Sequence, residues 1–141
     1  MTQRQATPSL FDIKAHGSTL VVRIDGGPLQ LFGTDVALQL EALVDRVDKD
    51  PDVRAVVFTS AHPQRFVSHA DVKWLQEGGA DYVARQKSGA PPPAASEGYV
   101  GLDRLHAIFL RMNSIGVVFV AAIEGGRWGS ARSSHGPATC G

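Results

Sequence analysis

The chain has 141 residues, a length that fits one domain or part of one. Hydrophobic residues make up 43%, enough for a core, and 14 basic side chains balance 14 acidic ones. That zero net charge leaves no basic surplus to point to nucleic acid or to an anionic membrane. A lone cysteine, Cys140, excludes an internal disulfide framework and a cysteine-rich zinc site.

The opening "MTQRQATPSLFDIKAHG" lacks the apolar core of a signal peptide. The longest apolar run, residues 115–123, is far shorter than the ~20 residues that cross a bilayer. The expectation is a soluble, cytoplasmic protein, with residues 1–18 as an N-terminal extension and residues 19–125 as the folded unit. "TLVVRIDG" (Thr19–Gly26) alternates and ends at Gly-Gly-Pro, which predicts a strand and a turn. "GPLQLF" extends it or starts a second short strand. Thr34 reads as an N-cap, followed by Val36, Leu40, Leu43, Val44 and Val47 at helical spacing. Pro51 marks the end of that helix.

"RAVVFTS" (Arg54–Ser60) is a continuous apolar strand of the kind covered on both faces in parallel sheets. A loop, "AHPQRFVSHADV", opens into a short helix, "KWLQEGG", with Gly78–Gly79 as turn glycines and Trp74 packing the helix on the sheet. Residues 88–98, "SGAPPPAASEG", have the composition of a flexible loop. Val100, Leu102, Leu105, Ile108, Phe109 and Met112 then form a helical stripe, and "GVVFVAAIEG" is the last strong strand. Strands alternating with helices predict an α/β layer with parallel strands. In such sheets ligands bind beyond the C-terminal strand ends, which singles out the loops after Ser60 and after Ile123.

The first of these loops holds "FVSHADV" (Phe66–Val72). Its plainer reading is that Ser68 or Asp71 caps the next helix. Its functional reading is a fixed backbone donor for a developing negative oxygen, worth several kcal/mol in suitable sites. His69 reads either as an exposed loop histidine or as a base. His16, His62 and His106 lack metal-ligand spacing.

Taken together, "VVRIDGGPLQLF", "LEALVDRVDKDPDVRAVVFTSA", "RFVSHADVKWL" and "GVVFVAAIEG" appear in the order of the enoyl-CoA hydratase/isomerase, or crotonase, family, whose N-terminal half the chain resembles. The resemblance implies a ClpP/crotonase-like fold of β-α-β repeats, here an incomplete N-terminal portion. It implies an acyl-CoA lyase or isomerase of fatty acid metabolism, with coenzyme A as part of the substrate, no separate cofactor and no metal. The full-length form is expected to be a homotrimer or dimer of trimers. The family's Phe-x-x-Gly-x-Asp loop maps onto Phe66, Ser68, His69, Ala70 and Asp71. The Ala70 N–H falls where one oxyanion donor lies, and the others fall where substrate is bound. His69 departs from the usual glycine. Gln30 stands where asparagine is common.

After the Gly-terminated strand the family runs into a glycine-rich turn with the second donor and an acid/base glutamate. Here the continuation is "GRWGSARSSHG", with no glutamate after Glu124. Back-translated and read one base earlier, residues 125–141 permit Gly-x-Gly-x-Glu-Phe-Ala. The Trp128–Gly129 junction must give glycine in that frame. The expectation is an out-of-frame tail over 126–141 and a chain that lacks both catalytic carboxylates and is inactive alone. The alternative is a non-catalytic CoA-binding or oligomer-partner fragment of the same fold. A Clp-type hydrolase is disfavoured, because Ser133, Ser134 and His135 are adjacent and cannot form a spatial relay. Resequencing the gene across codons 124–128 should reveal a missing base, and an intact frame there removes the tail reading.

Overall fold

The computed structural model describes residues 9–89 and 101–124. The expected tail over 126–141 and most of the 88–98 loop lie outside them. The described elements are β1 (Phe11–His16), β2 (Thr19–Ile24), β3 (Leu31–Phe32), α1 (Thr34–Lys49), β4 (Ala55–Ser60), β5 (His69–Ala70), α2 (Val72–Ser88), α3 (Leu102–Ser114) and β6 (Val118–Ala121). One sheet has the order β1-β2-β4-β6, and β3 and β5 pair separately. β2, β4 and β6 run parallel, as the α/β pattern predicts.

β1 falls within the stretch that the sequence reading groups as an N-terminal extension. It pairs antiparallel with β2 through a two-residue hairpin, Gly17–Ser18, with Gly17 at φ 59°. Phe11 enters the core, and the Leu10 amide donates to Gln39 Oε1 of α1 at 2.9 Å. These residues are part of the sheet.

Side chains alternate across a strand, so the sheet has two unlike faces. Leu20, Val22 and Ile24 of β2 and Val56 and Phe58 of β4 form one face. Val36, Leu40, Leu43, Val44 and Val47 of α1 close over it, with Ile108 of α3 in the same cluster. Phe119 of β6 stacks on Phe58 with ring centroids 6.2 Å apart. The opposite face carries Val21, Val57 and Val120 in register. Val57 is only half-buried, and Val118 and Val120 are 62% and 47% exposed. The expectation that β4 is covered on both faces therefore holds for one face only.

The helices depart from the sequence reading in three places. α1 is capped by Gly33, with no side-chain cap bond, and Thr34 is its first residue. α2 runs 17 residues, straight through Gly78–Gly79. A glycine costs about 1 kcal/mol relative to alanine in a helix but does not end it. The following Ala, Arg, Gln and Lys residues favour the helix, which closes at Gly89 with φ 66°. In α3, Ile108 is buried, but Phe109 is 42% exposed, outside the buried stripe.

Ion pairs fix α3 on α1. Arg104 grips Glu41 with both prongs, Nε to Oε1 at 3.0 Å and Nη2 to Oε2. Two turns further along the same face, Arg111 forks to Asp45 and Asp48. Its guanidinium is held above the usual arginine range, first by the hydrogen bond to Asp45 and then by that to Asp48. A raised value keeps Arg111 charged at every pH below the ordinary arginine range, so near neutrality its half of the bridge does not titrate.

Leu43→Ala should cost about 2–5 kcal/mol in urea denaturation, as a truncation in a close-packed core. A double-mutant cycle on Arg104→Ala and Glu41→Ala should give a coupling of about 0.5–1 kcal/mol, shrinking at high salt. Zero coupling at low salt would show that the bidentate pair does not hold α3.

Candidate functional site

Parallel pairing of β2 with β4 sets Ile24 opposite Ser60. Two connections therefore leave the sheet side by side: the turn over residues 25–30 and the loop over residues 61–68. The Ala61 amide donates to the Ile24 carbonyl at 2.8 Å, which starts the loop directly against β2. The Ser60 hydroxyl accepts from the His62 amide at 2.9 Å and lies 3.4 Å from the Phe66 carbonyl it donates to. The Arg65 guanidinium reaches the Pro28 carbonyl at 3.0 Å, tying the loop to the turn.

The loop then makes its own short ladder. Leu31 and Phe32 of β3 pair in parallel with His69 and Ala70 of β5. The Ser68 amide donates to the Gln30 carbonyl and the Asp71 amide to the Phe32 carbonyl, each at 2.9 Å. The candidate residues Phe66, Ser68, His69, Ala70 and Asp71 are thus brought together on one strap over β3.

Their individual roles differ. Phe66 is half-buried and packs with Val67 against the main core. Ser68 is held through its backbone. Asp71 is the N-cap of α2, and its carboxylate accepts from the Lys73 amide at 2.8 Å. The plainer reading of this residue is therefore realised. His69 is exposed, and its Nδ1 donates to the Ala70 carbonyl at 2.7 Å. Its backbone has no positive φ, so a side chain in place of glycine brings no strain there. Trp74 is buried and meets the Phe32 ring at 6.2 Å between centroids, packing α2 onto β3.

The residue that sequence reasoning marked without assigning a role is Gln30. Among the described residues it is the buried polar side chain, 2% exposed. It has φ 50°, and its Oε1 accepts from the Gly26 amide at 3.1 Å. Gly26 itself must be glycine, because a Cβ there would lie 2.8 Å from the Leu31 carbonyl oxygen. The visible signal was a polar residue between two apolar ones, "LQLF", directly after a Gly-Gly-Pro turn.

A concavity of about 400 Å³ is lined by Ser9, Phe11, Ile13, Gln39, Ala42, Leu43 and Arg46. It lies between β1 and α1 and shares no residue with the loop. Among the described residues no group of three or more His, Cys, Asp or Glu is placed to hold a metal, and no helix is long and apolar enough to cross a membrane.

The sequence matches no family model and no curated protein. Solved structures do match. A Mycobacterium paratuberculosis enoyl-CoA hydratase/isomerase superposes at a TM-score of 0.62 with 25% identity, over 84% of this chain and 42% of its own. Pseudomonas aeruginosa DspI superposes at 0.62 with 21% identity, over 89% and 42%. A Polaromonas enoyl-CoA hydratase gives 0.60 with 16% identity, over 82% and 40%. The chain has the enoyl-CoA hydratase/isomerase, or crotonase, fold and spans about two fifths of the length of these solved chains.

Asp71→Ala should lower stability by about 1 kcal/mol through loss of the α2 cap, while Asp71→Asn should retain most of it. Urea midpoints measure both. Equal midpoints for all three proteins would show that α2 does not depend on this cap.

Proposed function

We propose that this chain is the acyl-CoA-binding N-terminal part of an enoyl-CoA hydratase/isomerase-like enzyme, with the Ala70 N–H as one of two donors to a thioester oxyanion. One observation carries the reading. The Asp71 amide is engaged by the Phe32 carbonyl, and successive N–H groups of an extended strand point to opposite edges. The Ala70 N–H is thereby directed to the edge of β5 away from β3, one residue before the positive end of α2. A donor in that position suits a carbonyl oxygen that gains charge as a thioester enolate forms. Phe66, Ser68, His69 and Asp71 then frame or support the acyl end, and coenzyme A enters as part of the substrate. The solved enoyl-CoA hydratases that share the fold favour this chemistry over others.

The second donor belongs to the segment after Ile123. Glu124 ends the strand region before that turn, and neither acid/base carboxylate of the family pattern is found in the sequence. The complete enzyme would assemble as a homotrimer or dimer of trimers. The reading that residues 126–141 are out of frame explains why the chain holds one half of the donor pair. An oligomer-partner role is favoured by one separate observation, the exposed Val118 and Val120 on the edge strand β6.

The chain alone should give no enoyl-CoA hydration above a buffer blank, and turnover by the purified polypeptide would refute its inactivity. In isothermal titration with butyryl-CoA, Ala70→Pro, which removes the N–H, should weaken binding about tenfold, the worth of one hydrogen bond. Ala70→Gly should leave it unchanged. Equal affinity for the wild type and the proline variant sinks the donor role.

A further inference from the structure

We infer that Gln30 is the positioning residue of the loop: its left-handed backbone and buried carboxamide aim its carbonyl at the Ser68 amide and thereby set how β5 lies on β3. The inference concerns the same site as the proposed oxyanion donor and draws its functional meaning from that reading. The seating itself is a backbone property that needs no ligand to be measured.

The turn has a recognisable hydrogen-bond pattern. The Gln30 amide donates to the Gly27 carbonyl at 3.0 Å and the Leu31 amide to the Gly26 carbonyl at 3.2 Å. The same nested bonds close a Schellman turn, whose fifth residue is left-handed and usually glycine or asparagine, although here the second residue, Gly27, is at φ 77° as well. Gln30 occupies the fifth place at φ 50°. A glutamine adopts this conformation against its own preference, so something must hold it. The carboxamide does so: its Oε1 closes on the Gly26 amide at 3.1 Å inside the turn, where the side chain is only 2% exposed.

Reversing the chain at Gln30 has a consequence beyond the turn. Its carbonyl accepts the Ser68 amide at 2.9 Å, and the next two residues form the whole of β3. A ladder only two residues long cannot set its own register by length. The bond from Ser68 to Gln30 anchors the loop at the entry to this ladder, and the bond from Asp71 to Phe32 closes it. Between them three loop steps span two of β3, one more than a regular ladder allows, so the entry anchor is the fixed point from which the strap reaches the Phe32 carbonyl with Asp71.

Hydrogen exchange of the ligand-free chain, read at single amides by mass spectrometry with electron-transfer fragmentation, tests this. Gln30→Ala should speed exchange at the Ser68 and Asp71 amides about tenfold, while Val22 and Val44 in the core change less than about twofold. Gln30→Asn, which keeps a carboxamide and tolerates the left-handed region, should restore both loop amides to within about threefold of wild type. If Gln30→Ala does not fold, Gln30→Met keeps the bulk without the amide oxygen and should give the same pattern. Unchanged loop amides, core amides that quicken equally, or failure of asparagine to restore protection would each overturn the assignment. Because no thioester is present, this outcome is separate from the butyryl-CoA titration, which tests the donor itself.

Discussion

The parallel register of β2 and β4 is the constraint on which the site depends. It sets Ile24 against Ser60, so two connections distant in sequence emerge next to each other. Neither the turn at 25–30 nor the loop at 61–68 has regular structure of its own. Each borrows order from the other, through the Arg65 contact to Pro28, the Ser68 contact to Gln30 and the Asp71 contact to Phe32. The valines that fasten the register, Val22 and Val56, are fully buried under α1. Burial of each such side chain contributes about 1.5–3 kcal/mol, more than any single loop hydrogen bond. The core thus supports the site geometry from below, and the loop bonds refine it.

Elements with a strong apolar period were legible in the sequence. β2, α1, β4 and β6 stand where the alternation or the helical spacing places them, because each buries one face against the others. β1 was legible in principle and was missed. Phe11, Ile13 and Ala15 alternate with Asp12, Lys14 and His16, and Gly17–Ser18 then separates them from a second alternating run. The length of α2 was not legible, because a Gly-Gly pair has the same appearance whether it breaks a helix or is carried through it. The Gly33 cap was hidden by the threonine beside it. At the candidate site the loop stands out by its residue types, whereas Gln30 stands out only by its position and not by its task, since a left-handed backbone leaves no pattern unless glycine or asparagine occupies it.

The sheet has an asymmetry that follows from its order. β1 closes one edge with an antiparallel hairpin and carries Asp12, Lys14 and His16 outward. β6 closes the other with Val118 and Val120 outward and no charged residue within it. Edge strands of stable monomers are usually blunted by charge, proline or a bulge. β1 meets that description and β6 does not. The exposed valines continue inward across the same face to Val57 and Val21, so the apolar surface is a band and not an isolated residue. The solved chains of this fold are more than twice as long as the part matched here.

Side-chain motifs and backbone chemistry separate at this loop. The residues by which "FVSHADV" is recognised perform ordinary structural tasks: Phe66 packs, Asp71 caps α2, and the Ser68 amide anchors the strap. The group proposed to act on substrate is a main-chain N–H, which every residue but proline supplies. Substitution within the loop is then tolerated wherever the backbone path survives. His69 illustrates this, since its φ is not in the left-handed region and its exposed ring bonds to the Ala70 carbonyl. The opposite holds for Gly26, which is not part of the loop, yet any Cβ there would strike the Leu31 carbonyl at 2.8 Å and displace the turn on which the strap rests. The backbone path of the loop therefore rests most heavily on residues outside the loop itself.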